Sequence, residues 1–279
     1  MKYFQCGRYR FPLSGAQSRT LVMGVLNITP DSFSDGGKYL HLESAIARAE
    51  QMIEDGADII DIGGESSRPG SAPLPLDEEL GRVMPVIYAL RDCGIPLSID
   101  TYKPQVMREA LLAGVDMIND IQGFRSPEAI AAVQNADAAL CAMHMQNTPV
   151  DMQVSPEYAD VNQEVTAFLR ERLVAFAQAG IEAERICLDP GFGFGKTQAH
   201  NVAMFRHLPE LQQELGLPVL VGVSRKSMIG AITGKAAPQR MAGSIAAALL
   251  AKQMGANIIR VHDVAETVDA YKVWDTLSR

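Results

Sequence analysis

The sequence predicts an α/β protein, a (β/α)8 TIM barrel preceded by a short N-terminal β-hairpin. Short apolar runs alternate with longer segments of helical spacing about eight times along the chain, the rhythm of parallel βα units that close on themselves. Three helix-to-strand junctions nearly coincide: Gly56-Ala57-Asp58, Gly114-Val115-Asp116 and Gly255-Ala256-Asn257. Each puts a glycine where a helix must stop. An open, doubly wound sheet is the alternative, favoured by nothing specific in these residues. No linker or low-complexity stretch divides the chain, so a single domain over residues 1–279 is expected.

Residues 2–12 alternate weakly around Cys6-Gly7 and suit a hairpin outside the repeat. The apolar run 21–27 reads as the first barrel strand, followed by a turn-rich loop to Gly37 and a helix over 42–55 that stops at Gly56. The unit then repeats. Strand 58–63 leads through a Gly/Ser/Pro loop at 64–75 to helix 76–91, and strand 96–100 to a helix over 103–113 that ends at Gly114. Strand 116–119 precedes a short helix from Pro127, and strand 138–144 precedes a polar loop and a long helix ending near Gly180. Strand 186–189 is followed by a helix over 202–215, strand 218–223 by a Ser/Arg/Lys loop and helix 241–254, and strand 258–262 by the closing helix 264–277.

The stretch 186–196, ICLDPGFGFGK, is the part around which the rest is arranged. Its apolar run ends on Asp189, and Pro190 forbids the strand from continuing. The glycine/phenylalanine alternation that follows lets backbone approach a ligand and can cover one. Taken alone, a strand-end Asp such as Asp189 reads as a cap for the next turn. The recurrence of polar strand ends along the chain argues for a binding floor.

Composition narrows the possible partners. The net charge of -8 and pI of about 5.2 exclude a basic nucleic-acid footprint, so no nucleic acid is expected as partner. An anionic substrate would need a local basic cluster. Cys6, Cys93, Cys141 and Cys187 show no C-x-x-C pairing and read as reduced thiols rather than a zinc site or a disulfide frame. The opening residues lack an apolar signal region, and no run approaches the ~18 apolar residues of a membrane span. The expectation is a soluble, cytoplasmic protein without membrane contact.

A barrel carries its ligand site at the C-terminal ends of its strands. Those ends read Asn27, Asp61, Asp100, Asn119, His144, Asp189, Ser224 with Lys226 beyond it, and Arg260 with His262. Any one of them could be a satisfied structural group, but the whole series is harder to explain so. Asp100, Asn119, Asp189 and Lys226, beside Phe194 and Met143, suit a flat heterocycle: carboxylates accept from ring N–H and amino groups, and the ammonium donates to a ring oxygen or nitrogen. Asn27, Ser66, Ser67, Arg68, Arg260 and His262 supply hydroxyls, an amide and cations, and describe an anion site suited to phosphate. Gly195-Lys196-Thr197 looks like the end of a P-loop, but position 190, where that motif needs glycine, is Pro190. The five histidines have no metal-ligand spacing, so a divalent ion would arrive with a phosphate, as Mg2+ usually does.

Eight motifs covering nearly the whole chain resemble the dihydropteroate synthases, enzymes of folate biosynthesis. They are MGVLNITPDSFSDGG at 23–37, GGESSRPG at 63–70, SIDTYKP at 98–104, NDI at 119–121, MHMQ at 143–146, LDPGFGFGK at 188–196, GVSRKSMIG at 222–230 and RVHDV at 260–264. The resemblance implies a single (β/α)8 barrel, a homodimer, and the joining of 4-aminobenzoate to (7,8-dihydropterin-6-yl)methyl diphosphate with loss of diphosphate and Mg2+ present. It implies a pterin slot of Asp100, Asn119, Asp189 and Lys226, and a diphosphate site of Asn27, Ser67, Arg68, Arg260 and His262, with Asn27 also on Mg2+. The 4-aminobenzoate pocket would use Pro69, Phe194, Lys226 and Ser227, and a sulfonyl mimic of that acid should compete there. Catalysis would rest on Asp100, Lys226, Arg260 and His262. The family usually has Thr where this chain has Ser67. One buried methyl is worth ~0.8 kcal/mol, so altered packing is expected there and not lost chemistry.

The bond to be broken sets what such a site must do. An electron-rich pterin lets its methylene part from diphosphate with cationic character, so charge stabilisation on the leaving group matters more than a strong base. The loops 28–37 and 64–75 would be the lids. A pterin-binding methyltransferase would share the barrel and the heterocycle slot without needing the anion cluster, and a non-catalytic pterin-binding homologue is a third reading.

Overall fold

The computed structural model describes residues 2–15, 17–28, 38–66, 70–147, 151–152 and 154–278, with backbone only for 38–41. Strands β1 (Tyr3–Cys6) and β2 (Tyr9–Pro12) form the expected antiparallel hairpin. Eight parallel strands follow: β3 (Leu21–Asn27), β4 (Ile59–Gly63), β5 (Leu97–Asp100), β6 (Met117–Asp120), β7 (Ala139–Met143), β8 (Ile186–Asp189), β9 (Leu220–Val221) and β10 (Ile258–Val261). They run in the order β8-β7-β6-β5-β4-β3-β10-β9. A parallel bridge from Leu188 to Val219 joins the two ends, so the sheet closes into a barrel and the open-sheet alternative falls.

The helices on the outside are α1 (Lys38–Glu54), α2 (Leu76–Leu90), α3 (Pro104–Ala113), α4 (Pro127–Val133), α5 (Val161–Gln178), α6 (Gln198–Arg206), α7 (Leu208–Leu215), α8 (Ser227–Thr233), α9 (Met241–Gln253) and α10 (Val264–Leu277). The three matching junctions hold: Gly56, Gly114 and Gly255 sit at φ of 97°, 99° and 95°, a left-handed turn that stops each helix without a Cβ penalty. One expectation needs correction. The helix expected over 202–215 is two helices, because His207 closes α6 and opens α7, with Pro209 in the first turn of α7. Proline is tolerated at that position but cannot donate to the preceding turn.

The register explains where the site lies. Met23 pairs with Ile59, Asn27 with Gly63, Gly63 with Asp100, Asp100 with Asn119, and Met143 with Asp189, so these residues share the barrel's inner face. Along that face four of the strands change character over two residues: Ile59 to Asp61, Met117 to Asn119, Cys187 to Asp189, Ile258 to Arg260. The lower interior is apolar, packed from Met23, Ile59, Met117, Cys187 and Ile258, and the hairpin's Phe4 and Cys6 plug it from below. Full burial of a side chain such as Phe4 is worth ~1.5–3 kcal/mol, which ties a hairpin outside the repeat to the barrel. The upper interior is polar and opens at the C-terminal ends of the strands.

Candidate active site

Arg260 crosses the barrel mouth. Its Nε donates to Asp61 Oδ2 at 2.6 Å and its Nη2 to Asp100 Oδ2 at 2.9 Å. Asn119 Nδ2 donates to the same Asp61 oxygen at 3.2 Å. Asp61 is fully buried, and its other oxygen has no partner among the described residues. Burial works against the charge of Arg260, but Asp61 and Asp100 outweigh it and hold the guanidinium protonated. Burial pushes Asp100 up to about 7; Arg260 pulls it down, and Asp61 and Glu79 push it further up.

On the opposite side Asp189 ends β8, its Oδ1 accepting from Gly191 N–H at 2.7 Å. Gly191 has a φ of 74°, and a Cβ there would lie 1.9 Å from the His144 carbonyl oxygen, so no side chain fits. Burial raises the Asp189 pKa while Lys226 opposes it. Lys226 Nζ donates to Phe192 O at 2.5 Å and stands 4.6 Å from the centre of the Phe194 ring. Burial lowers Lys226 to about 8, against the pull of Asp189. Gly222 lies between the two cations: a Cβ there would be 3.8 Å from both Lys226 Nζ and Arg260 Cβ, at ordinary contact distance. Ile121 and Met143 pack with Phe194 into an apolar wall beside these groups.

The structure thus brings Asp100, Asn119, Asp189, Phe194, Lys226 and Arg260 to one end of the barrel, as the sequence led us to expect. The lysine of the P-loop look-alike does something else. Lys196 is buried, with Nζ 2.9 Å from His144 Nδ1 and donating to the carbonyls of Gly191 and Phe194, each at 3.0 Å. It fastens the glycine/phenylalanine loop to the end of β7, and it occupies His144, which therefore serves the loop. Burial and Lys196 hold the His144 pKa down to about 2. Thr197 and His200 form a capping box that opens α6.

His262 follows β10, and Ser224 Oγ lies 3.0 Å from its Nδ1 and 3.2 Å from its backbone N. Counted among the cations in the sequence, His262 is instead neutral at pH 7: burial, then Arg260 and Arg225, bring it down to about 4. Ser227 is exposed at the first position of α8, the short helix that follows the Ser/Arg/Lys loop. Arg225 is turned away into an ion pair with Asp263, Nε to Oδ2 at 3.0 Å. Ser67, Arg68 and Pro69 lie outside the described residues, as does the loop 29–37.

Asn27 ends β3 half-buried, and a Cβ on Gly63 would be 3.5 Å from its Oδ1 and 3.8 Å from Asp100 Cβ. A carboxamide oxygen is a hard donor suited to Mg2+, and no cluster of three or more His, Cys, Asp or Glu among the described residues competes as a metal site. The residues fit an ion that takes one ligand from the protein and the rest from phosphate and water. Asp61 is the functional residue that strand-end reading named without giving it a role. Its signal was the inward parity of Ile59, Asp61 and Gly63, which puts a carboxylate in a barrel core.

A closed barrel with a carboxylate-lined slot and two cations at its mouth defines an enzyme for a flat polar ring joined to an anion. A model of the pterin binding enzyme family matches residues 23–262. Dihydropteroate synthase of Neisseria meningitidis serogroup C is 48% identical over 278 residues, 98% of this chain and 97% of that protein. The enzyme of the same name from Escherichia coli K12 is 48% identical over 90% of this chain and 89% of its own. Among solved structures, Xanthomonas albilineans dihydropteroate synthase with 4-aminobenzoic acid superposes with a TM-score of 0.91 at 50% identity, covering 99% of this chain and 98% of that one. Burkholderia cenocepacia dihydropteroate synthase complexed with 7,8-dihydropteroate gives 0.89 at 52% identity, covering 99% and 96%. The chain belongs to the pterin-binding enzymes, on their dihydropteroate synthase branch.

Proposed function

We propose that the protein joins 4-aminobenzoate to (7,8-dihydropterin-6-yl)methyl diphosphate, giving 7,8-dihydropteroate and diphosphate. The observation that carries this is the convergence of Asp100, Asn119, Asp189 and Lys226 on one slot, with Arg260 at its edge. Asp189 and Asp100 accept from the ring N–H and amino groups, Asn119 completes the edge, and Lys226 donates to a ring acceptor. When Asp100 turns to the ring, Arg260 Nη2 is released toward the diphosphate while Asp61 keeps hold of Nε. The Ser224 hydroxyl donates to Nδ1 of neutral His262, leaving Nε2–H to donate to a diphosphate oxygen. Ser67 and Arg68 serve the same anion.

The amine of 4-aminobenzoate is neutral at pH 7 and attacks without prior deprotonation. Its lone pair forms the C–N bond to the methylene carbon, the C–O bond to diphosphate breaks with its electron pair leaving on oxygen, and the surplus proton passes to water. Lys226, Phe194, Pro69 and Ser227 hold the benzoate. Asn27 would hold Mg2+, which supplies positive charge to the diphosphate.

The enzyme works as a homodimer in the cytoplasm. In support of the dimer, Met241, Ala242, Ala246 and Leu250 stand exposed on α9. Sedimentation should give twice the chain mass, and Leu250→Glu should halve it. In support of the location, the four cysteines are unpaired thiols, and among the described residues no helix is long and apolar enough to cross a membrane. Calorimetric titration tests the substrate reading: pterin diphosphate should bind the protein alone, and 4-aminobenzoate only after it, because Lys226 serves both. Tight binding of 4-aminobenzoate to the unliganded protein would count against this arrangement.

A further inference from the structure

Behind Asp100 lies a knot of polar groups that the reaction does not use. Glu65 follows β4 and precedes Ser66 and the positions 67–69, and its side chain is largely buried. Its Oε1 accepts from Tyr102 O–H at 2.9 Å, and its Oε2 accepts from Leu74 N–H at 3.0 Å and pairs with Lys103 Nζ. One carboxylate therefore ties the start of the loop to its end, nine residues on, and both to the turn after β5. Lys103 also pairs with Glu79 of α2, which is 1% exposed and accepts from Thr101 O–H at 2.7 Å. Thr101, Tyr102 and Lys103 directly follow Asp100 in the chain, and a cavity of ≈ 10 Å³ lined by Glu65, Glu79, Asp100, Thr101, Tyr102 and Ile121 separates the knot from the slot.

Folding alone does not call for this arrangement. The interface between α2 and α3 already packs Val83, Val86, Val106 and Met107. Two carboxylates sharing one ammonium in a poorly solvated place are often no more stabilising than apolar residues of the same volume. What the knot does supply is fixed geometry: it sets the base of the 65–74 loop against the turn carrying Asp100. Burial and Glu65 push the Tyr102 hydroxyl up to about 12, so it stays a donor throughout the working pH range.

We infer that Lys103 is a positioning residue for the loop after β4, holding Glu65 so that the segment containing Ser67, Arg68 and Pro69 is set against the turn after β5. The groups assigned to diphosphate and to 4-aminobenzoate are thereby placed relative to a ring held at Asp100. This rests on the proposed reaction and on the roles given to Ser67, Arg68 and Pro69.

The test is two-substrate steady-state kinetics, calorimetric binding of a phosphate-free pterin and thermal melting on the full chain with Lys103→Met, Glu65→Gln and the double variant. Each single change should raise KM for 4-aminobenzoate about tenfold, and the double change little more than the worse single one, since both cut one linkage. KM for the pterin diphosphate should rise as well, because its anion meets Ser67 and Arg68, while a phosphate-free pterin should bind within about twofold of the unaltered protein. Lys103→Arg should recover part of the loss. Should Lys103→Met fail to fold because Glu79 is left unpaired, Lys103→Met/Glu79→Gln and Tyr102→Phe address the same anchor and should show the same selective rise. Equal weakening of the phosphate-free pterin, additive effects, or a lower melting temperature with unchanged KM would overturn the inference. A wild-type protein that releases no diphosphate would instead overturn the reaction itself.

Discussion

Arg260 divides one guanidinium between two carboxylates from different strands, Asp61 in the middle of β4 and Asp100 at the end of β5. Deleting it strands both carboxylates, so Arg260→Ala should cost ~3–5 kcal/mol of stability besides any loss of diphosphate binding. The variant Asp61→Asn/Arg260→Ala should regain part of that stability without regaining diphosphate binding, while a phosphate-free pterin still binds. Melting curves and calorimetry on the two variants separate the effects. Equal weakening of the pterin and its diphosphate in the double variant would make Arg260 structural.

Pterin affinity should peak in a narrow pH window. Asp100, at about 7 because it is buried, cannot accept from ring N–H once protonated, so affinity falls as pH drops through 7. Lys226, at about 8 because it is buried, loses its ammonium above that value. The folding linkage of Asp100 runs the other way: a carboxyl raised above its ordinary value of 3.8 adds most stability at low pH and loses it as pH rises through about 7. Titrating a phosphate-free pterin from about pH 6 to 9 should give a maximum between the two values, and a flat profile would contradict the assignment.

Asp189→Asn should fold, since an amide oxygen can still accept from Gly191 N–H. The new NH2 would face ring donors, and pterin affinity should drop by ~1–3 kcal/mol from desolvated groups left unpaired. Unchanged binding in a folded variant would remove Asp189 from the slot.

Ser227→Ala should raise KM for 4-aminobenzoate while pterin diphosphate affinity and melting temperature hold. Ser227 is exposed and α8 takes its N-cap at Lys226 without a side-chain bond, so little stability depends on the hydroxyl. A lower melting temperature with unaltered kinetics would make it a cap.

The parts of this site that sequence reveals are those set by parity and chain breaks. Asn119, Asp189 and Arg260 each stand two residues beyond an apolar inward neighbour, and Pro190 marks where β8 must stop. What stays hidden depends on contacts across the fold. The bond from Arg260 to Asp61 spans 199 residues, and the acceptors around Lys196 are mostly backbone carbonyls, which composition does not show. The neutrality of His262 likewise follows from burial beside Arg260. The helical pattern over 202–215 hid a break, since apolar spacing continues across His207 although the hydrogen-bond ladder does not.

The most direct measurement is the product balance with both substrates and Mg2+ present. The proposed reaction predicts diphosphate and 7,8-dihydropteroate in equal amounts, with neither formed when 4-aminobenzoate is left out. Pterin diphosphate that binds to the protein but yields no diphosphate on addition of 4-aminobenzoate would contradict it and leave a pterin-binding protein without the transferase activity.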